Sequence, residues 1–350
     1  MSRRGWFRLS PIGQRRLAQF RANRRGFVSF WLFLGVFCIS MAADLIANHR
    51  PLLVRYDGAF YFPTLVSYPE TTFGGFFETE ADYGDPAVVE LIEEKGWLLR
   101  APVPYRYDSV VHGVERAPSP PSRQNILGTD DQSRDVFARV IYGLRLSILF
   151  GLLLTVSASA IGITVGAIQG YYGGGIDLVG QRLIEVWNGL PLLYLLIILA
   201  SFIVPGFWTL LFIMLLFSWM ALVDIVRAEF YRARSLDYVR AARALGATDF
   251  TVMRRHILPN AMVSSLALMP FVLSGALTTL TALDFLGFGL PPGSPSLGEL
   301  LAQGKNNLQA PWLGITGFVV TGVILTLLIF AGEAVRDAFD PRRASQVPIE

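Results

Sequence analysis

The sequence predicts an all-α polytopic membrane protein with six transmembrane helices and a long external segment between the first two. Of its 350 residues, 53% are hydrophobic and 16% are charged, and the mean hydropathy is +0.46, which excludes a single soluble domain. Five stretches lack Asp, Glu, Lys and Arg, and each is long enough to cross a bilayer: 26–43, 146–176, 186–223, 257–283 and 306–332.

The stretch 186–223 is about twice as long as one span requires. Pro205 and Gly206 lie at its middle, and this pair is typical of a turn. We therefore predict two helices there and six spans in all. The predicted spans are 27–47, 146–169, 186–204, 206–223, 261–284 and 311–332.

Clusters of arginine predict the orientation of the spans. Eight arginines and no acidic residue precede Phe27, so the N-terminal tail 1–26 is expected in the cytoplasm. The loop 224–260 carries seven arginines against four acidic residues and is expected on the same side, as is the C-terminal tail 333–350. A cleaved signal peptide is the alternative for the first apolar run, which exceeds the usual core of about 7–15 residues.

The segment 48–126 is predicted to be extracytoplasmic, polar and only partly regular, because it is rich in proline and in acidic residues. One interpretation is a solvated loop. The other is a docking or sealing surface for a soluble partner, which its aromatic residues suggest: Phe60, Tyr61, Phe62, Phe73, Phe76 and Phe77.

Residues 127–145 are predicted to form an amphipathic helix at the membrane interface, because their apolar residues recur at helical spacing. Asp130 or Asp131 is expected to cap its start. In the span that follows, Gly162, Gly166 and Gly170 recur every four residues, which predicts a smooth face for close helix packing.

Sequence motifs of catalysis and metal binding are missing. The sequence contains no phosphate-binding P-loop and no HExxH, its single cysteine is Cys38, and its three histidines are far apart. We expect no catalytic residue, no metal and no cofactor in this chain, and therefore no enzyme. The balance of 30 basic and 27 acidic residues also argues against a nucleic-acid partner.

The loop 237–260 carries the most information. We predict a short helix that Asp237 caps and that Gly246 ends, followed by a second helix that Asp249 caps. The apolar side of the first helix is expected to carry Tyr238, Ala241, Ala242 and Leu245, with Arg240 and Arg243 facing away. Small residues at such a turn let another protein approach closely, so one interpretation of the loop is a contact between subunits. The alternative interpretation is an amphipathic loop that rests on anionic lipid.

This loop resembles the EAA loop of ABC importer permeases. DYVRAARALG is followed by nine residues and then by His256, Ile257, Leu258 and Pro259, which is the spacing of that family. Arg240 stands where many members have Glu, and His256 stands at the usual Ile. The resemblance implies the type I ABC importer permease fold.

Other segments resemble the branch that contains oligopeptide, dipeptide and nickel permeases. They are residues 127–147, the His-x-Leu-Pro-Asn ending of the EAA loop, and DFLGFG at 284–289. Ser133 replaces a Gly often found there, and Asp284 replaces a common Ser. The long external segment is most similar to that of microcin C or long-peptide permeases.

The resemblance implies a subunit that translocates peptides or peptide-like compounds across the inner membrane, and nickel or another metal chelate is the alternative substrate. The implied partners are a second permease in a heterodimer, ATPase subunits that bind ATP and magnesium, an extracytoplasmic substrate-binding protein, and membrane lipid. The residues implied in ATPase coupling are Tyr238, Arg240, Ala241, Ala242, Leu245, Gly246, His256, Leu258 and Pro259.

Asp284 is the candidate group for the translocation pathway, because acidic residues at membrane depth are usually functional. A hydrogen bond at the helix end is an equal alternative. Two other classes of protein are alternatives. One is a secondary transporter driven by an ion gradient, which would carry charged residues near the centres of its spans, and the other is a membrane scaffold that transports nothing.

Overall fold

A computed structural model describes residues 11–114, 116–202 and 206–339. The beginning of the predicted N-terminal tail, the turn residue Pro205 and the C-terminal tail from residue 340 lie outside the described residues. The helices in the described part are α1 Pro11–Ala22, α2 Arg24–Met41, α3 Ala43–Ile46, α4 Pro86–Lys95, α5 Val136–Tyr172, α6 Gly174–Asn188, α7 Leu192–Phe202, α8 Phe207–Ser218, α9 Val223–Ala233, α10 Asp237–Ala244, α11 Asp249–Thr251, α12 Leu258–Leu286, α13 Leu297–Asn306 and α14 Pro311–Phe339.

Five helical runs among the described residues are long and apolar enough to cross a membrane. They are Arg24–Met41, Val136–Tyr172, Phe207–Ala233, Asp249–Leu286 and Pro311–Phe339. These runs lie at five of the six predicted spans. The third run continues through a short 3-10 segment, Trp219–Leu222, and ends at Ala233 rather than at residue 223.

The start of the predicted span 186–204 is interrupted in the structure. Helix α6 ends at Asn188, and α7 begins only at Leu192. Gly189 and Pro191 lie between them, and the residue before a proline is disfavoured in the helical region, so the helix breaks there. Residues 203–205, which follow Phe202, lie outside the described residues, so the remainder of this span stays a prediction.

The chain divides into two compact units. One unit combines Met1–Leu34, Leu149–Leu283 and Gly322–Glu350, and the other combines Gly35–Ile148 and Asp284–Thr321.

In the first unit, the glycine face of α5 packs directly against the backbone of the 3-10 segment Trp219–Leu222 and of α9. A methyl group on Gly166 would lie 2.6 Å from the carbonyl oxygen of Val223, and one on Gly162 would overlap the carbonyl oxygen of Trp219. Gly170 approaches the carbonyl oxygen of Arg227 in the same way. The prediction of close helix packing at these glycines is therefore confirmed.

Helix α6 is joined to α9 by an ion pair. The guanidinium of Arg227 donates two hydrogen bonds to the carboxylate of Asp177, and the bond from Nη2 measures 2.8 Å. This hydrogen-bonded cation holds the pKa of the Asp177 carboxyl below its usual range. The pair fixes the turn after α5 to the helix that leads into the basic loop.

The second unit contains a small α+β module in the external segment. Its three antiparallel strands, β1 Leu53–Tyr56, β2 Ala59–Tyr61 and β3 Gly96–Leu99, have the order β2-β1-β3. Asp57 and Gly58 join the first two strands with φ values of 49° and 81°, as an Asp-Gly hairpin turn requires. Helix α4 begins with Asp85 as its cap, since the Asp85 carboxylate accepts the N–H of Ala87.

This module has its own core, so the segment is more regular than predicted. The buried residues are Val54, Tyr56, Phe73, Ala81, Tyr83, Val88 and Ile92. The prediction that Phe73 belongs to an exposed docking surface is wrong, because its side chain is fully buried. The other phenylalanines of the predicted surface are exposed: Phe60, Phe62, Phe76 and Phe77.

The predicted separate helix at 127–145 is wrong in its first half. Residues up to Asp135 form turns, and α5 begins at Val136 and continues unbroken. Ser133 has a φ of 58°, which no α-helix accommodates, and the Asp130 carboxylate closes this turn by accepting the N–H of Arg134 at 2.8 Å. Asp135 caps α5 instead, with its carboxylate 2.7 Å from the nitrogen of Ala138.

Candidate functional site

The basic loop folds into a short helix, a glycine turn and a second helical run. Gly246 follows α10 with a φ of 87°, a conformation that glycine adopts without strain. Its N–H donates to Arg243, and the N–H of Ala247 donates to Ala242, so the last carbonyls of α10 are satisfied. The prediction that Gly246 ends this helix is confirmed.

Both predicted caps are wrong. Leu236 precedes α10 without any side-chain cap, and Asp237 is the first helical residue, where its charge suits the helix dipole. The second run is capped by Thr248, whose hydroxyl accepts the N–H of Thr251 at 3.4 Å. Asp249 does not cap, because its carboxylate binds Tyr171.

Helix α10 has an inward and an outward side. Val239 and Ala242 are buried in a cluster with residues of α5, α9, the π-helical segment Val252–Ile257 and the start of α12: Ala167, Tyr171, Val226, Phe230, Val252, Ile257 and Ala261. Tyr238, Ala241 and Leu245 are exposed, Leu245 to 89%. The predicted apolar side is therefore split, because Ala242 anchors the helix while the other three residues stay on the surface.

Tyr171, at the end of α5, connects the two parts of the loop. Its hydroxyl donates to the Asp249 carboxylate at 2.5 Å and accepts from Nε of Arg243 at 3.3 Å. The Arg243 guanidinium also lies 4.8 Å from the centre of the Tyr171 ring. Sequence reasoning missed Tyr171, since a tyrosine at the end of an apolar helix carries no spacing signal.

The second run continues as a π-helix, Val252–Ile257, into α12. Ile257 is fully buried, whereas His256 is half-buried and Arg240 is exposed. Leu258 packs against the same core as Val239, and Pro259 lies in the first turn of α12, where a missing N–H is tolerated. His256, Leu258 and Pro259 therefore position the entry into α12, apart from the exposed face of α10.

Asp284 lies in the last turn of α12 and is 8% exposed. Its Oδ1 accepts the N–H of Leu290 at 2.7 Å, and its Oδ2 accepts the hydroxyl of Ser296. Ser296 in turn caps α13 through the N–H of Gly298 at 3.1 Å. Asp284 thus makes the helix-end hydrogen bonds of the second interpretation, and its role in a translocation pathway stays a prediction.

Residues 162–345, which include the whole loop, match the family model described as "Binding-protein-dependent transport system inner membrane component". The chain belongs to this family.

Relatives along the full length support the assignment. The chain is 58% identical to "Inner membrane ABC transporter permease protein YejE" of Escherichia coli (strain K12), with 96% of this chain and 99% of that protein covered. It is 53% identical to "Peptidoglycan transport system permease protein YejE" of Agrobacterium fabrum, with 97% and 95% covered. It is 33% identical to "Oligopeptide transport system permease protein OppC" of Lactococcus lactis subsp. lactis (strain IL1403), with 65% and 79% covered.

These findings confirm the predicted resemblance to peptide-type ABC importer permeases. The chain is a multi-pass inner-membrane permease subunit, and ATP hydrolysis belongs to separate ATPase subunits. Membership of this family sets aside the gradient-driven transporter and the membrane scaffold. The short helix that the sequence singled out therefore belongs to a permease that works with an ATPase.

Proposed function

We propose that this permease imports peptides or peptide-like compounds and that the outward side of α10 is its contact with the ATPase. The observation that carries the proposal is the two-sided character of this eight-residue helix. Val239 and Ala242 hold it to the core, while Leu245 and Tyr238 are presented to a partner.

The electrostatics and packing of the loop suit the transmission of force. Tyr171 ties Arg243 and Asp249 to the end of α5, and Val239 belongs to the buried cluster that joins α9 to the run leading into α12. A displacement of α10 by a closing ATPase would therefore act on three long helices together. Burial of an exposed leucine and an exposed tyrosine in a protein groove would contribute binding free energy, and aromatic residues often contribute most in such interfaces.

The names of the relatives support the substrate class. The proteins similar to this chain are described as permeases of oligopeptide, dipeptide and peptidoglycan transport systems. Peptide antibiotics such as microcin C have amide backbones, as the peptides named in these descriptions do. A nickel or other metal chelate is the alternative substrate.

The proposed assembly contains a second permease in a heterodimer, two ATPase subunits and an extracytoplasmic binding protein. The arginine-rich tail and the basic loop support a cytoplasmic position for both termini and for α10, on the side where the ATPases would bind. The external module would then face the binding protein, and membrane lipid would surround the spans.

Purification of the tagged chain in mild detergent tests this assembly. We expect a stoichiometric ATPase and a second permease to accompany it, with measurable ATP hydrolysis. Gly246→Val should abolish the association, because valine strongly disfavours a φ of 87°. Gly58→Val is the matched control, since Gly58 has a φ of 81° and, like Gly246, open space around its Cα.

A wild-type chain that purifies alone and hydrolyses no ATP would contradict the proposal. The substrate class is tested separately, with the complete complex in vesicles. ATP-dependent uptake of a radiolabelled tripeptide is expected, and uptake of a nickel chelate in place of the peptide would select the alternative.

A further inference from the structure

A polar pocket of about 370 Å³ lies in the second compact unit. It is enclosed by the end of α12, the loop that follows it, helix α13 and the turn before α5. The polar side chains that line it include Asp131, Asp284, Glu299, Gln303 and Lys305. The predicted topology places these loops on the external side, where a substrate arrives.

One wall of the pocket is held rigidly. The Glu299 carboxylate forms salt bridges with Nη2 of Arg139 at 3.0 Å and with Nη2 of Arg134 at 3.3 Å. Both arginines are buried, and both also pair with Asp130. Because Glu299 is already neutralised, it orders the pocket without adding a free negative charge.

The pocket contains a buried acceptor that no donor satisfies. Gln303 is 5% exposed, and its Nε2 donates to Oε1 of Glu299 at 3.2 Å. This bond fixes the orientation of the amide, since a flipped amide would place two oxygens against each other. Its Oε1 is buried and has no hydrogen-bond partner among the residues that the structure describes. A buried acceptor in this state is costly unless a ligand supplies a donor.

The charges of the lining select the type of donor. No side-chain hydrogen bond or salt bridge holds the Asp131 carboxylate in the described part of the chain. Each oxygen of Asp284 accepts one hydrogen bond and has a further lone pair. Lys305 is the cation of the lining, and its ammonium lies 4.9 Å from the ring centre of Phe285. Two unneutralised carboxylates and one lysine leave room for a single added positive charge.

We propose that this pocket binds a primary ammonium group of the transported compound. An ammonium has three N–H donors, and the lining residues offer three kinds of acceptor: Oε1 of Gln303 and the carboxylates of Asp131 and Asp284. The proposal rests on the proposed function, since it assigns the amino group of an imported peptide to a site within the permease itself.

The test is calorimetric titration of the detergent-purified complex, without the binding protein, by dialanine and by N-acetyl-dialanine. Acetylation removes the charge and leaves the rest of the peptide, so we expect binding about tenfold weaker or worse. Gln303→Leu and Asp131→Asn should each abolish the difference between the two peptides. Gln309→Leu is the matched control, because Gln309 is exposed and lies outside the pocket lining.

Equal binding of the two peptides, no binding of dialanine, or unchanged binding in both variants would overturn the proposal. Asp131 is exposed, so Asp131→Asn tests the pocket even if Gln303→Leu does not fold. Failure of the proposed function looks different. Vesicles that import no peptide, around a complex that still prefers dialanine in this way, would refute the import of peptides and leave the pocket in place.

Discussion

The sharpest prediction concerns Leu245, because its exposure separates a role in docking from a role in folding. The side chain is 89% exposed, so Leu245→Asp should leave the stability of the isolated chain almost unchanged. If an ATPase groove covers it, full burial of a leucine contributes about 1.5–3 kcal/mol. Its loss should therefore weaken the association by roughly tenfold to a hundredfold.

The assay is affinity of the purified permease dimer for its ATPase, measured alongside thermal unfolding and ATP-dependent uptake in vesicles. Leu308→Asp is the matched control, since Leu308 is 83% exposed and lies in the other compact unit, on the predicted external side. Wild-type affinity and uptake in Leu245→Asp would refute the assignment of this face. A lower unfolding temperature would instead mean that Leu245 is buried within the permease.

Three further predictions concern the residues that support this helix. Tyr171→Phe removes the hydroxyl that binds Asp249 and should cost about 1 kcal/mol of stability while lowering the amount of substrate transported per ATP hydrolysed; an unchanged ratio would exclude a role in coupling. Gly166→Ala should lower the free energy of unfolding by about 1–3 kcal/mol, because the new methyl group meets the carbonyl of Val223, whereas Gly175→Ala, with open space around it, should be neutral in the same thermal melts. The ion pair with Arg227 lowers the pKa of Asp177, so it contributes stability that is present above the unfolded-state pKa of about 3.9 and is lost as the pH falls through the lower folded-state pKa. Unfolding measured across this pH range should show the loss in the wild type and no such loss in Asp177→Asn.

Local features of the chain predicted much of the fold. The charge-free stretches located five of the helical runs that the structure has, because exclusion of charge from hydrocarbon acts on each stretch independently. The glycines of α5 predicted a close helix contact, since a four-residue repeat is itself a face. The end of α10 at Gly246 was predicted because the left-handed conformation is a property of a single residue.

Competition between neighbouring groups was harder to predict. Asp130, Asp135, Asp237 and Asp249 are all chemically able to cap a helix, yet only Asp135 does so. Asp130 closes a turn instead, and Asp249 binds a tyrosine of another helix. A cap depends on which partner lies nearest in space, and spacing along the chain does not contain that information.

Partners distant in sequence decided the structure of the external segment. Strand β1 pairs with β3, which lies about forty residues later, and the core forms around Phe73. Acidic residues, prolines and glycines recur between them, so the local pattern predicts loops. Strand pairing depends on contacts between remote segments, which a local pattern does not reveal.

Three properties could be predicted from the amino-acid sequence: the chain spans a membrane, its basic loop contains a short helix ended by Gly246, and this loop has the spacing of an importer permease. Each of these properties depends on a residue and its near neighbours. Which side of α10 is free depends on how the helix packs in the folded chain. Apolar residues occur all around that helix, and the core at Tyr171 and Val226 covers Val239 and Ala242 while leaving the opposite side exposed.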